Sequence, residues 1–197
     1  RKCTPIQRAI GFDSFVNKGT KAVTETTSPD ITDEGALTGL QKFNVFGYYG
    51  NEVVFENIPV IASKDAQAIK WDYTNNDPTK LKYWTKNNYY FAAYANKNTS
   101  DNLANVSFSN STLTFSDYTV NDEQDLIADV VNKDNTSYQA YANKVAFDFQ
   151  HLLTKIQFTI KNTSNQYKMR IVSINMAQNG AEASNNDLSN NGFSSSD

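Results

Sequence analysis

Short runs in which every second residue is apolar dominate this chain, and a period of two fits only a strand with one face buried. Val145, Phe147 and Phe149 alternate in this way, as do Ile156, Phe158 and Ile160. A first run contains Ile10 and Phe12 and ends near Val16. Phe43, Val45, Gly47 and Tyr49 share a face, followed by Val53 and Phe55, then Ile69, Trp71 and Tyr73. Further runs lie around Tyr83-Trp84, Tyr89 to Tyr94, Val106 to Phe108, Leu113 to Phe115 and Lys168 to Met176. About eight to ten short strands separated by polar turns predict an all-β sandwich rather than an α/β fold.

The turns are built from asparagine. There are 25 Asn among 197 residues, and no Gly occurs between Gly50 and Gly180. Turns in that stretch must therefore rely on Asn and Asp to reach positive φ. Gly50-Asn51 reads as a hairpin turn, and Pro59 marks a strand with a free edge. Asp30 to Gly39 reads as a polar connection. One helix competes with the strands: Asn121 is a cap with Gln124 three residues on, and Leu126, Ile127, Val130 and Val131 line one face. From Ala177 to Asp197 periodicity is lost, which predicts a polar tail.

Composition removes several function classes. A net charge of -3 and a pI of about 5.2 leave no electrostatic footprint for nucleic acid. A single Cys and a single His provide no disulfide framework and almost no zinc ligands, so no metal or cofactor is expected. No nucleophile elbow, P-loop or dinucleotide fingerprint occurs, and an enzyme is not expected. His151, inside an alternating run, reads as a buried and hydrogen-bonded structural histidine. Aromatic residues make up 13% of the chain. An exposed row of Trp71, Tyr73 and Trp84 would stack on sugar rings in a glycan-binding surface lipoprotein, the alternative function; the competing reading packs these rings into the core.

Several segments together carry a family resemblance. They are Phe43-Asn44-Val45-Phe46-Gly47-Tyr48-Tyr49, Val53 to Val60, Trp71-Asp72-Tyr73, Lys82-Tyr83-Trp84 and Tyr90-Phe91-Ala92-Ala93-Tyr94. Later come Gln124-Asp125-Leu126 and the run from Phe149 through His151, Leu153 and Ile156 to Phe158. In this order, across residues 6 to 176, they resemble the fimbrillin family, the type V pilins of Bacteroidales.

The resemblance implies a transthyretin-like or Ig-like Greek-key β-sandwich of about seven core strands, with at most one short helix. It implies a structural, adhesive pilus subunit, exported to the cell surface and outer membrane, whose partners are other pilin subunits and a surface glycan or protein receptor. In such pilins a protease cuts behind the first strand, and the vacated groove accepts a strand from the next subunit. Mapped here, the removable strand carries Ile6, Ile10 and Phe12, and the cut falls between Lys21 and Ala22, where the family has Arg. Segment 1–22 would then precede a sandwich domain at 23–176 and a linker tail at 177–197 toward a second domain. Cys3 lies near the position of the family's lipid-bearing cysteine, although Arg1-Lys2 stand where small and apolar residues are usual; a free thiol is the other reading.

Overall fold

The structure is a computed structural model that describes residues 8–17, 26–66, 68–96, 103, 105–119, 125–136, 144–153, 161, 163, 166 and 170. Eleven strands occur among them: β1 Phe12–Val16, β2 Asp30–Ile31, β3 Leu37–Thr38, β4 Lys42–Tyr49, β5 Glu52–Asp65 and β6 Ala68–Asp72. After a 3₁₀ turn at Pro78–Lys80 come β7 Asn88–Asn96, β8 Val106–Ser109, β9 Thr112–Phe115, β10 Leu126–Asp134 and β11 Val145–His151. The fold is all-β, as the alternation predicts. Seven strands join in the order β1-β11-β10-β7-β4-β5-β6, and the remaining four form two small hairpin ladders, β2-β3 and β8-β9.

Alternation decides what is inside. From β4, Phe43 and Val45 are buried in the main core, whereas Phe46, the residue after Val45, belongs to a second cluster on the opposite face. Val145, Phe147 and Phe149 of β11 all point into the main core, with Ala146 and Asp148 exposed between them. Ile10, Phe12 and Val16 join the same core. The β1-β11 pair thus lies over one face of the central sheet, and the β8-β9 hairpin lies over the other with Val106, Phe108, Leu113 and Phe115 half-buried. The Ile156 to Ile160 run, the Lys168 to Met176 run and the polar tail lie outside the described residues.

The helix expected from Asn121 is a strand where it is described, from Leu126 on; Asn121 and Gln124 lie outside the described residues. Leu126 and Ile127 are neighbours buried on opposite faces of β10, Leu126 in the second cluster and Ile127 in the main core. A central strand covered on both sides produces adjacent apolar pairs, a pattern that a helical stripe also produces. The β-branched Ile127, Val130 and Val131 favour the strand, and β7 supplies it with a ladder from Leu126↔Asn96 to Asp134↔Asn88. Asp30 to Gly39, read as a polar connection, contains the short β2-β3 ladder.

Asparagine does take the left-handed turns. Asn57, Asn75, Asn76, Asn110 and Asp117 all have positive φ, joined by Ala66 and Ser111. Asn57 sits where the β4-β5 register shifts, between Val45↔Ile58 and Gly47↔Phe55. There its main-chain and side-chain oxygens accept from the buried Asn44 amide at 3.2 and 2.9 Å, and its side chain accepts from Tyr94 at 2.8 Å. The bulge thus satisfies a polar group inside the sheet. Pro59 fits its free edge, because β6 pairs with β5 only from Ile61 to Asp65.

Candidate functional site

The first strand sits in a slot, and that slot is the candidate site. β1 runs parallel to β11 in the register Phe12↔Val145 to Val16↔Phe149 and ends the sheet formed by the described residues. Its residues alternate as the sequence demands: Phe12 and Val16 are buried, and Asp13 and Phe15 are exposed. Phe12 enters a ring pocket, with centroids 5.3 Å from Phe55, 5.6 Å from Tyr73, 5.9 Å from Phe147 and 6.3 Å from both Phe43 and Phe91. The ring of Phe147 is stacked on Phe12 and the other four meet it edge-to-face, and such aromatic pairs add about 0.5 to 1.5 kcal/mol each beyond the buried area.

Main-chain bonds fasten the start of the strand on both sides. Ile10 N–H donates to Lys82 O at 2.8 Å and Trp84 N–H to Arg8 O at 2.9 Å, around an antiparallel bridge of Ala9 with Tyr83. Toward β11, Val145 N–H donates to Gly11 O at 2.8 Å. The Tyr73 hydroxyl donates to Ile10 O at 3.1 Å and accepts from Lys82 N–H at 3.0 Å. Burial pushes this phenol's pKa up, so it remains a donor at neutral pH.

Side chains take over at the end of the strand. Ser28 Oγ accepts from Val16 N–H at 2.8 Å and donates to Val16 O at 3.3 Å, in the manner of a missing neighbour strand. Asn17 N–H donates to Phe149 O at 3.0 Å, and the Asn17 amide donates to Asp148 Oδ1 at 2.7 Å. His151 Nε2 lies 2.9 Å from Asn17 O, and its Nδ1 lies 2.9 Å from Asp125 Oδ1. The other oxygen of Asp125 accepts from Thr26 N–H at 2.6 Å. Residues 17 and 26, on either side of segment 18–25, are therefore tied to one Asp-His pair.

Ile10 and Phe12 are buried in the slot, whereas Cys3, Ile6, Lys21 and Ala22 lie outside the described residues. Trp71, Tyr73 and Trp84 do not form an exposed row. Trp71 packs 4.7 Å from Phe43, Tyr73 packs on Phe12 and Phe55, and Trp84 is buried 4.9 Å from Tyr89. The alternation that brings Trp71 and Tyr73 to one face turns that face inward. His151 matches its reading as a shielded, hydrogen-bonded side chain. Asp125, Ser28 and Thr26 carried no signal, since nothing in sequence ties an acid to a histidine 26 residues away.

Among the described residues no cluster of three or more His, Cys, Asp or Glu is placed to hold a metal, and no helix is long and apolar enough to cross a membrane. No curated protein and no solved structure matches the chain. The family model for fimbrillin-like proteins matches residues 20–197, beginning just after β1 and taking in every later strand. With that match over most of its length, the chain belongs to the fimbrillin-like family.

Proposed function

We propose that this protein is a structural, adhesive fimbrial subunit that assembles on the bacterial surface by strand exchange after proteolysis. Membership of the fimbrillin-like family supports the fimbrial role and association with other pilin subunits. Cleavage between Lys21 and Ala22 frees the segment carrying Ile6, Ile10 and Phe12. A strand from the next subunit then fills the groove. The precursor reaches the outer membrane through a lipid on Cys3, and the assembled fimbria meets a surface glycan or protein receptor. No catalytic step is assigned to the chain.

The observation that carries this reading is the seating of β1. It is an edge strand laid into an aromatic pocket, and its covalent continuation lies close to the proposed cut. Its departure would uncover Phe43, Phe55, Phe91 and Phe147 and leave the Lys82, Trp84, Val145 and Phe149 main-chain groups unpaired. An open edge beside an apolar groove is the geometry that takes up an extended strand. The test is limited trypsin digestion followed by a peptide copying residues 6–16. Cut protein should bind it, uncut protein should not, and a peptide with Asp at positions 10 and 12 should fail. Cleavage that creates no peptide site would overturn the proposal.

A further inference from the structure

We infer that Asp125 and His151 form a docking site for the far end of whichever strand fills the β1 slot, and that its exchange ligand is an extended segment of a second copy carrying a hydrogen-bonding residue just after its last apolar anchor. This inference rests on the strand-exchange reading. Apolar alternation specifies which side chains of an incoming strand face the core, but it contains nothing to recognise where the strand ends. The slot supplies that information with polar groups.

A carbonyl only accepts, so His151 Nε2 donates to Asn17 O. The ring is aimed from behind by Asp125, which is 2% exposed in its side chain and is itself held by Thr26 N–H. Beside it, Asp148 Oδ1 accepts from the Asn17 side-chain amide. The site thus reads one main-chain carbonyl and one side-chain N–H donor, immediately beyond the anchors Ile10, Phe12 and Val16. A strand shifted by two residues would place Phe15 where Asn17 meets Asp148, an apolar ring against a carboxylate.

The site also stays with the body of the protein. Thr26, Ser28, Asp125, Asp148 and His151 all follow Lys21 in the chain, so a cut there removes Asn17 and leaves the Thr26–Asp125–His151 connection intact. The vacated slot then presents a preoriented N–H donor at its far end, with no ordering cost to the incoming strand at that point.

The experiment compares two amidated peptides, Arg8 to Asn17 and Arg8 to Val16, on trypsin-cut protein. The longer should bind about tenfold more tightly, mostly from the well-aimed bond of its Asn17 carbonyl to His151, with about twofold from the exposed Asn17–Asp148 bond. In His151→Leu that advantage should shrink to about twofold, and in His151→Gln, whose amide keeps a donor, most of it should return. Equal binding of the two peptides by the wild type, or an undiminished advantage in His151→Leu, overturns the inference while strand exchange stands. Binding of neither peptide overturns both. In uncut protein, His151→Leu should speed hydrogen exchange at the Asn17 amide about tenfold relative to Ile10; unchanged relative protection would also contradict the docking role.

Discussion

The two faces of the central sheet are covered in different ways. Over one, β1 and β11 bring Ile10, Phe12, Val16, Val145, Phe147 and Phe149 into a core of nearly inaccessible side chains. Over the other, β8 and β9 pair, among the described residues, only with each other and rest on the sheet through half-buried rings, Phe108 at 6.4 Å from Phe46 and Phe115 at 5.5 Å from Tyr94. The Tyr48 hydroxyl accepts Ser111 N–H at 2.8 Å and the Tyr94 hydroxyl accepts Leu103 N–H at 3.2 Å. A hairpin keeps its own ladder when lifted. A lone edge strand leaves a broken ladder behind, and that asymmetry makes the β1 face the one suited to exchange.

The sharpest way to break the comparison is to truncate the ring at the centre of the slot. Phe12→Ala should cost about 3 to 5 kcal/mol in urea unfolding, whereas Phe108→Ala on the hairpin should cost about 1 to 2 kcal/mol because its ring is only half-buried. Similar losses would show that both coverings are integral to the core. Gly47→Ala tests the sheet beneath the slot. A Cβ there would stand 2.7 Å from the Phe91 ring and 3.1 Å from Phe55, so overpacking should cost about 1 to 3 kcal/mol and lower the thermal midpoint.

A smaller effect has the opposite sign. Ser14 Oγ is shielded from solvent and has no hydrogen-bond partner among the described residues, so Ser14→Ala should stabilise the uncut protein by up to about 1 kcal/mol. The resident strand is thus weaker than the slot allows, and a replacement need only improve on it.

The smallest effect is a pH dependence beside β11. Burial raises the Asp129 carboxyl above its ordinary 3.8, outweighing hydrogen bonds from Asp148 and Val130 N–H, with the Asp148 charge adding to the rise. A raised carboxylate pKa means the folded state holds the proton more tightly, so stability falls as pH rises from the ordinary value through the folded one. Asp129→Asn should therefore gain urea midpoint relative to wild type on going from about pH 4 to pH 7. No gain would show the carboxylate is well solvated.

Much of this contrast was legible in the chain. Alternation located β1 and β11 with their inward residues and the runs that became β4, β7, β8 and β9, because a half-buried strand writes its facing into every second position. It failed at β10, where both faces are covered and Leu126 and Ile127 mimic a helical stripe. The glycan row failed for a related reason, since Trp71 and Tyr73 alternate as expected but toward the core. Of the polar end of the slot, the sequence showed His151 as a hydrogen-bonded side chain but not its partners. Asn17, Thr26, Asp125 and His151 meet only through the parallel pairing of the first strand with the last described one, and no local pattern encodes a contact of that range.

The most direct test of the account is to lock the first strand in place. Asp13 and Ala146 are register partners on β1 and β11, both exposed, and cysteines there fall within reach of a disulfide once Cys3 is replaced by Ser. Asp13→Cys with Ala146→Cys should be cut by trypsin whether oxidised or reduced. Oxidised, the cut protein should stay monomeric in sedimentation and refuse the strand peptide. After dithiothreitol it should bind the peptide and associate with other subunits. Equal association of the locked and unlocked cut protein would mean that the first strand never leaves, and would contradict strand exchange at this slot.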